Sequence, residues 1–343
     1  MMARIVMADD GPAFDGATAE RGPLGGAESA LVALAESLAA RGHRVEVYNH
    51  CEKPLAYKGV EWAPLARGHS GECELFVGNR GSRVLGLGRR AGRRLFWLHN
   101  PATYLKKPRN LAALLRYRPT LVVTGAHHAL SVPRWLPRGG LAVIPYGVRE
   151  RFRASMPRPA PPPRAIFTSN PLRGLDWLLD LWVKRIRPAV PQAELHIYAG
   201  AAVYGGATRK AREMEAVLRR AEALASAGVR RHAPVGSETL AKALSEARAM
   251  LYRGDPGETF CLALAEAQAI GVPAVVTPLG AVFERVIDGE TGRVAANEEE
   301  FVAAAIRLLS DDGLWQRWHR AALEKQGALS WDEVAERFEA LMR

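Results

Sequence analysis

Two glutamates eight residues apart, Glu258 and Glu266, stand in the run GETFCLALAEAQAIGVP, residues 257–273. A carboxylate among apolar side chains is costly unless it is paired, so each needs a partner. The spacing predicts a helix beginning near Phe260, which puts Glu258 at its N-terminus. Free N–H groups and the helix dipole favour an anion there, and a plain cap is the structural reading. Glu266 lies about two turns further in, among Leu262, Ala263, Ala265, Ala267 and Ala269. Its structural partner would be an Arg or Lys of another element. Its chemical partner would be a vicinal diol such as a ribose, whose two hydroxyls a carboxylate accepts. The small neighbours would let such a ligand approach.

Alternating strand-like and amphipathic runs must position these residues. In the first half the strand-like runs are Ile5–Ala8, Val45–Tyr48, Leu75–Val77, Leu95–Leu98, Leu121–Thr124 and Leu141–Ile144. Leu31, Leu34 and Leu38 mark one face of a helix over Ala27–Arg41 that stops at Gly42. A proline-rich stretch follows, which excludes helix and central strand. The alternation then restarts with Ala165–Phe167, a helix over Leu175–Ile186, Leu195–Tyr198, Ala249–Tyr252 and Ala274–Val276. Strand–helix–strand repetition implies parallel sheets covered by helices, with ligands at the strands' carboxyl ends. The expected layout is a domain over residues 1–152, a linker over 153–164 and a second domain over 165–326. A last helix, within residues 327–343, is expected to pack back on the first domain. The fold class is α/β, two doubly wound Rossmann-like domains with an interdomain cleft.

The 343 residues, 48% hydrophobic, exceed one ordinary core. No apolar run approaches the roughly 18 residues of a membrane span, and MMARIVMADDG is too short an apolar run for a signal peptide. Cys51, Cys73 and Cys261 are scattered, which fits neither a disulfide framework nor a metal site. A cytoplasmic protein is expected. The net charge of +11 is concentrated: residues 75–149 hold fourteen Lys or Arg and no Asp or Glu. That is a local electropositive surface rather than a uniformly basic chain, and no nucleic-acid motif accompanies it.

The pair of glutamates, followed by EAQAIGVPAVVTPLGAVFERVIDGETG, resembles the donor-site signature of the retaining GT-B glycosyltransferases of the family 4 type (glycosyl transferases group 1). The resemblance implies that Glu258 contacts the donor sugar and Glu266 the ribose of a nucleotide diphosphate. The amides of Thr259, Phe260 and Cys261 would face sugar and phosphates, with Thr259 and Cys261 standing where many members have Gly. GPLGGAES resembles the family's Gly-rich loop, so Gly25 and Gly26 would bring N–H groups to the diphosphate. The adjacent pair Asp9-Asp10 precedes that loop and is expected to orient it. FTSNPLRGLDWLL resembles the segment whose basic pair grips the phosphates. Arg173 matches the second member, while Ser169 and Asn170 stand near the first, which leaves Asn170 as a further phosphate contact. His99, in RRLFWLHNP, resembles the cleft histidine near sugar and acceptor, and His127 and His128 would line the acceptor side. HIYAG and HAPVG place Tyr198, Gly200, Pro234 and Val235 near the nucleotide.

The resemblance implies a metal-independent retaining hexosyltransferase with His99, Glu258 and Arg173 at the reaction centre. It would use no cofactor beyond a nucleotide-diphosphate sugar donor, UDP- or GDP-linked. The acceptor would be a glycan or a lipid-linked molecule of bacterial cell-surface polysaccharide or glycolipid synthesis. A sugar phosphorylase on the same fold is the alternative enzyme, and a basic nucleic-acid-binding protein the alternative of another class. The basic block adds an expectation of peripheral binding to an anionic membrane, on the cytoplasmic face of the inner membrane, with no nucleic acid as partner. In that reading Leu105, Leu111, Leu114 and Leu115 interleave with Lys106, Lys107, Arg109, Arg116 and Arg118 to form a cationic-apolar face.

Overall fold

The computed structural model describes residues 2–69, 71–153, 156–200, 208–325 and 328–343. Residues 154–155 of the expected linker and residues 326–327 at the expected domain end lie outside them. The chain divides into two compact units, Met1–Gly147 with Leu329–Arg343, and Val148–Ala328.

The first unit is built on strands β1 (Arg4–Asp9), β2 (Arg44–Asn49), β3 (Leu55–Tyr57), β4 (Val60–Pro64), β5 (Cys73–Asn79), β6 (Ala91–Trp97), β7 (Thr120–Val123) and β8 (Gly140–Val143). They lie in the order β3-β4-β2-β1-β5-β6-β7-β8. All neighbours are parallel except the β3–β4 hairpin. Central parallel strands are covered on both faces, which is why β1 and β5 read as continuous apolar runs. Helix α1 (Gly26–Ala40) buries Leu31, Leu34 and Leu38. The hairpin escaped the sequence reading because its strands are short and only half apolar. Its turn, Lys58–Gly59, has φ of +47° and +76°. Positive φ at both central positions is the geometry a two-residue hairpin needs.

The second unit contains β9 (Arg164–Phe167), β10 (Glu194–Tyr198), β11 (Val229–His232), β12 (Ala249–Tyr252), β13 (Ala274–Val276) and β14 (Gly292–Val294), in the order β11-β10-β9-β12-β13-β14. All are parallel. The helix expected over Leu175–Ile186 is α2 (Leu175–Leu181) running on as a π-helical turn, Trp182–Ile186. Helix α3 (Leu262–Ala269) connects β12 to β13.

The units part between Gly147 and Val148, ahead of the expected boundary at residue 152. Val148 and Phe152 are fully buried, and the turn Glu150–Phe152 packs on α3 and on the helix Ser237–Ser245. The described part of the proline-rich stretch is strapped along the second unit. The Arg158 guanidinium donates to the carbonyls of Ile270 (3.2 Å) and Ala247 (3.3 Å) and lies over the Trp315 ring. Lacking N–H donors at its prolines, this segment uses a side chain to fasten itself.

Helix α4 (Trp331–Ala340) belongs to the first unit. Ser330 and Glu333 form a capping box at its start. Arg41, just past α1, reaches Glu339 at 2.6 Å and Asp332 at 2.8 Å, and His43 meets Glu339 at 2.9 Å. Beneath these charges Phe338 sits edge-on to Trp97, with centroids 5.2 Å apart, and Trp331 stacks on Tyr146. Phe338 is fully buried, so Phe338→Ala should cost about 3–5 kcal/mol of unfolding free energy. Urea denaturation checks this, and a loss below about 1 kcal/mol would make the helix an adornment rather than part of the core.

Candidate functional site

Glu258 lies on the loop between β12 and α3 and is almost wholly buried. Its partners are protein groups. Arg173 donates from Nη1 to Oε1 at 2.6 Å, and the Tyr252 hydroxyl donates to Oε2 at 2.6 Å. Burial pushes the Glu258 carboxyl up, and Asp255 adds to the push. Arg173 and the Tyr252 hydrogen bond pull back without cancelling it. On Arg173 burial works against the charge, but Glu258 outweighs it and the guanidinium stays protonated. Gly280, at φ +63°, lets the chain pass here, since a Cβ there would fall 2.7 Å from that of Glu258.

The expectation that Glu258 begins the helix is corrected. Cys261 takes φ +66° as the residue before α3, so the first helical residue is Leu262 and Glu258 is no cap. Left-handed φ is the conformation Gly adopts freely and other residues adopt at a cost. The cysteine standing in place of Gly therefore preserves the turn with strain rather than changing its path.

Arg173 is positioned by the turn before α2. Asn170 accepts the Leu172 N–H on its side-chain oxygen at 2.9 Å, and its backbone carbonyl accepts the Arg173 N–H at 2.9 Å. Gly174, at φ +86°, then packs against the Arg253 side chain. Asn170 thus builds the turn that aims Arg173.

Glu266 sits in the second turn of α3, and its carboxylate makes no hydrogen bond among the described residues. Burial pushes it up to about 8, with only the positive charge of Arg149 opposing. Its side chain keeps some open surface. Phe260 is buried, and the Arg285 guanidinium lies 4.4 Å over its ring. Burial lowers the Arg285 pKa, and its Nε finds no acceptor among the described residues. Arg285 was missed by sequence reasoning. Its one visible signal is a cation within the apolar run AVFERVI, just beyond Gly280.

Tyr198, Gly200 and Pro234 form a second group, at the ends of β10 and β11. Tyr198 stacks on His232 at 4.3 Å, and Gly200 packs directly on Pro234 with no room for a Cβ. Val235 beside them is partly exposed. Strand β9 separates this group from β12. Thr259 is buried next to Glu258.

His99, Gly25 and Gly26 belong to the first unit. His99 is buried just past β6. The Tyr146 hydroxyl donates to its Nδ1, and its Nε2 donates to the Asn79 side-chain oxygen, which sets the tautomer. Burial holds its pKa well below the usual value, so the ring is neutral. Gly25 precedes α1 as expected, but the Glu28 carboxylate folds back over it. Glu28 in turn accepts from Arg80 at 2.9 Å, and Arg80 Nε lies 2.9 Å from Asp9. Burial pushes Asp9 up to about 6. Asp9 therefore does tie to the Gly-rich loop, through Arg80. The helix start assigned to a diphosphate already faces a carboxylate. His128 accepts the Thr124 N–H on Nδ1 and meets the Asn100 carbonyl with Nε2, the contacts of a structural histidine.

The cationic-apolar face is corrected as well. Leu105 and Leu114 are fully buried, and both pack with Leu111 in the core cluster around Phe96 and Leu121. Leu115 alone of the four is exposed, at 62%. The other exposed large apolar side chains of the basic block are Leu130, Trp135, Leu141 and Val143, the last two on the edge strand β8. Arg118, Arg134 and Arg138 border the same groove as Leu115 and Trp135.

The strain at Cys261 is testable. Cys261→Gly should keep stability within about 1 kcal/mol, since relief of φ offsets the lost buried sulfur. Cys261→Val should lose more than about 2 kcal/mol, because a β-branched side chain tolerates φ +66° least. Equal melting curves for the two variants would refute the strain.

Residues 163–311 match the family described as glycosyl transferases group 1. A D-inositol 3-phosphate glycosyltransferase of Streptomyces avermitilis is 30% identical over 217 residues, 62% of this chain and 45% of that relative. Another, from Corynebacterium diphtheriae, is 35% identical over 86 residues, 24% of this chain and 20% of that one. The matched region thus spans less than half the length of either relative. Among solved structures, sucrose-phosphate synthase from Thermosynechococcus elongatus superimposes with a TM-score of 0.74 at 17% identity, covering 98% of both chains. The glycosyltransferase WaaG, involved in lipopolysaccharide biosynthesis, does so at 0.71 and 14%, covering 98% of this chain and 99% of its own. HepE of Anabaena, in complex with UDP-glucose, does so at 0.72 and 15%, covering 98% of both chains. Residues 163–311 are thus similar to the glycosyl transferases group 1, and over its whole length the chain has the α/β GT-B fold.

Proposed function

We propose that the protein is a glycosyltransferase that moves a sugar from a nucleotide-diphosphate sugar to an acceptor hydroxyl with retention of configuration. The observation that carries this reading is Glu266, a largely buried carboxylate without a hydrogen-bond donor among the described residues, close in sequence to the Glu258–Arg173 pair. A ribose would supply the missing hydroxyls to Glu266. Glu258 would accept from the sugar, and Arg173 would meet the diphosphate. The anomeric carbon's bond to the diphosphate oxygen breaks as its bond to the acceptor oxygen forms on the same face. The leaving diphosphate takes up the acceptor's proton, and Arg173 stabilises the charge that develops on it without a metal. UDP-glucose, bound in the HepE structure, is the first donor to try.

Glu266→Gln keeps the size of the side chain but cannot carry the charge. It should weaken UDP-sugar binding by a factor of about ten to a hundred, as expected for lost charge-assisted hydrogen bonds. Wild-type affinity should rise between pH 6 and 8 as Glu266 ionises, and the variant should lose that rise. Stability should move the other way. The folded carboxyl sits above its unfolded value, so ionisation disfavours the fold as pH climbs toward 8. Glu266→Gln should therefore melt higher than wild type, by a margin that widens from pH 5 to pH 8. Calorimetry and thermal melts check both arms, and unchanged donor affinity would sink the ribose assignment.

The acceptor is assigned to the first unit, as a glycan or lipid-linked molecule of cell-surface synthesis presented at an anionic membrane. The support is the exposed part of the basic block, including Arg116, Arg118 and Arg134, beside Leu130, Trp135 and Leu141. Each cation near an anionic leaflet contributes about 1 kcal/mol, and no helix among the described residues is long and apolar enough to cross a bilayer. Co-sedimentation with vesicles containing phosphatidylglycerol should be strong at low salt, weaken as salt rises and fall with Trp135→Ser. Equal binding to neutral vesicles, or none, would reject the membrane in favour of a soluble anionic acceptor.

A further inference from the structure

Tyr252 is the last residue of β12 and is completely buried, with its ring against Phe167 at 5.9 Å. A buried phenol needs a partner for its hydroxyl. It donates to Glu258 Oε2 at 2.6 Å and accepts from the Ser169 hydroxyl at 3.3 Å. Arg173 holds the other carboxylate oxygen at 2.6 Å. The two donors differ in one respect. The Arg173 side chain is 35% exposed, so an incoming anion can reach it, whereas Tyr252 has no exposed surface. A diphosphate would compete with Glu258 for the guanidinium, because both offer charge-assisted bonds of the same kind. Without a second donor, Glu258 would then be left buried and unheld.

We propose that Tyr252 is the positioning residue for Glu258, holding the carboxylate through Oε2 while Arg173 exchanges onto the diphosphate of the donor. This rests on the transferase reading above. The titratable groups that face Glu258 are Arg173, Tyr252, Asp255 and the Cys261 thiol. Of these, Arg173 and the Tyr252 hydroxyl favour the ionised carboxylate, and Asp255 disfavours it. Removing the hydroxyl therefore shifts the carboxyl further upward.

Tyr252→Phe keeps the ring and its packing. It should lower kcat by about tenfold at pH 7, the loss of one hydrogen bond to a charged group. KM for the nucleotide sugar should change less than about twofold, because the effect is on the sugar end. The acid limb of the pH–rate profile should move up by about one pH unit. A purely structural tyrosine would lower the melting temperature and leave that limb in place. A second readout needs no turnover: 13C NMR titration of the Glu258 carboxyl in the full chain, assigned with Glu258→Gln. Its midpoint should rise in Tyr252→Phe, and an unmoved midpoint with wild-type turnover would overturn the proposal. A raised midpoint in a protein that binds no nucleotide sugar would uphold the Tyr252–Glu258 link and reject the transferase reading instead.

Discussion

The second unit is organised around the burial of negative charge. A carboxylate taken out of water must be met by donors of matching strength, or it is pushed toward its neutral form. Glu258 is met by two, Arg173 and Tyr252. Several local features then follow. Gly280 must lack a side chain to let the loop pass Glu258, Gly174 must take positive φ to deliver the segment carrying Arg173, and Asn170 must close that turn. Cys261 accepts a strained φ so that α3 can start after this cluster rather than through it.

The parallel sheets supply the places where such clusters can be built. Carboxyl ends of adjacent strands lie side by side, so residues distant in sequence are brought together at one rim. In the second unit Tyr252 ends β12, while Ser169 follows the end of β9 beside it. In the first unit Asp9 ends β1, Asn79 ends β5, and His99 follows β6. There the same constraint has another outcome. Arg80 lies between Asp9 and Glu28 as their shared counter-charge, and Tyr146 and Asn79 hydrogen-bond His99. A polar group fully engaged by protein partners is held in place, and that precision is gained at the expense of its freedom to bind anything else.

Much of this architecture was legible in the sequence where burial dictates residue type. Strands covered on both faces read as unbroken apolar runs, which is why β12 and β13 have the expected limits, Ala249–Tyr252 and Ala274–Val276. Edge elements carried weaker signals. The β3–β4 hairpin, β11 and β14 are short, partly exposed and rich in Arg, Glu or Gly, so period and composition gave them no mark. The pairing of the two glutamates was visible as a need, but the partner was not. Arg173 and Tyr252 lie 85 and 6 residues from Glu258 in the chain, and only the strand order joins them. The leucines of the basic block show the opposite error. Their interleaving with Lys and Arg is the pattern of any helix with one buried face, and here that face closes the core on Phe96.

The two glutamates of the opening motif are therefore not equivalent, although sequence spacing treats them alike. Glu258 has its counter-charge within the protein, which offsets part of the cost of its burial and defines its orientation before any ligand arrives. Glu266 has no donor among the described residues and is pushed toward neutrality, so its burial weakens the fold at neutral and higher pH. Under the proposed transferase reading, that cost is offset by a partner from outside the chain that brings hydroxyls. In that reading the asymmetry divides the labour: the carboxylate held by protein donors is the one that can be placed accurately, and the other is the one whose free energy changes most when a polyol supplies donors to it.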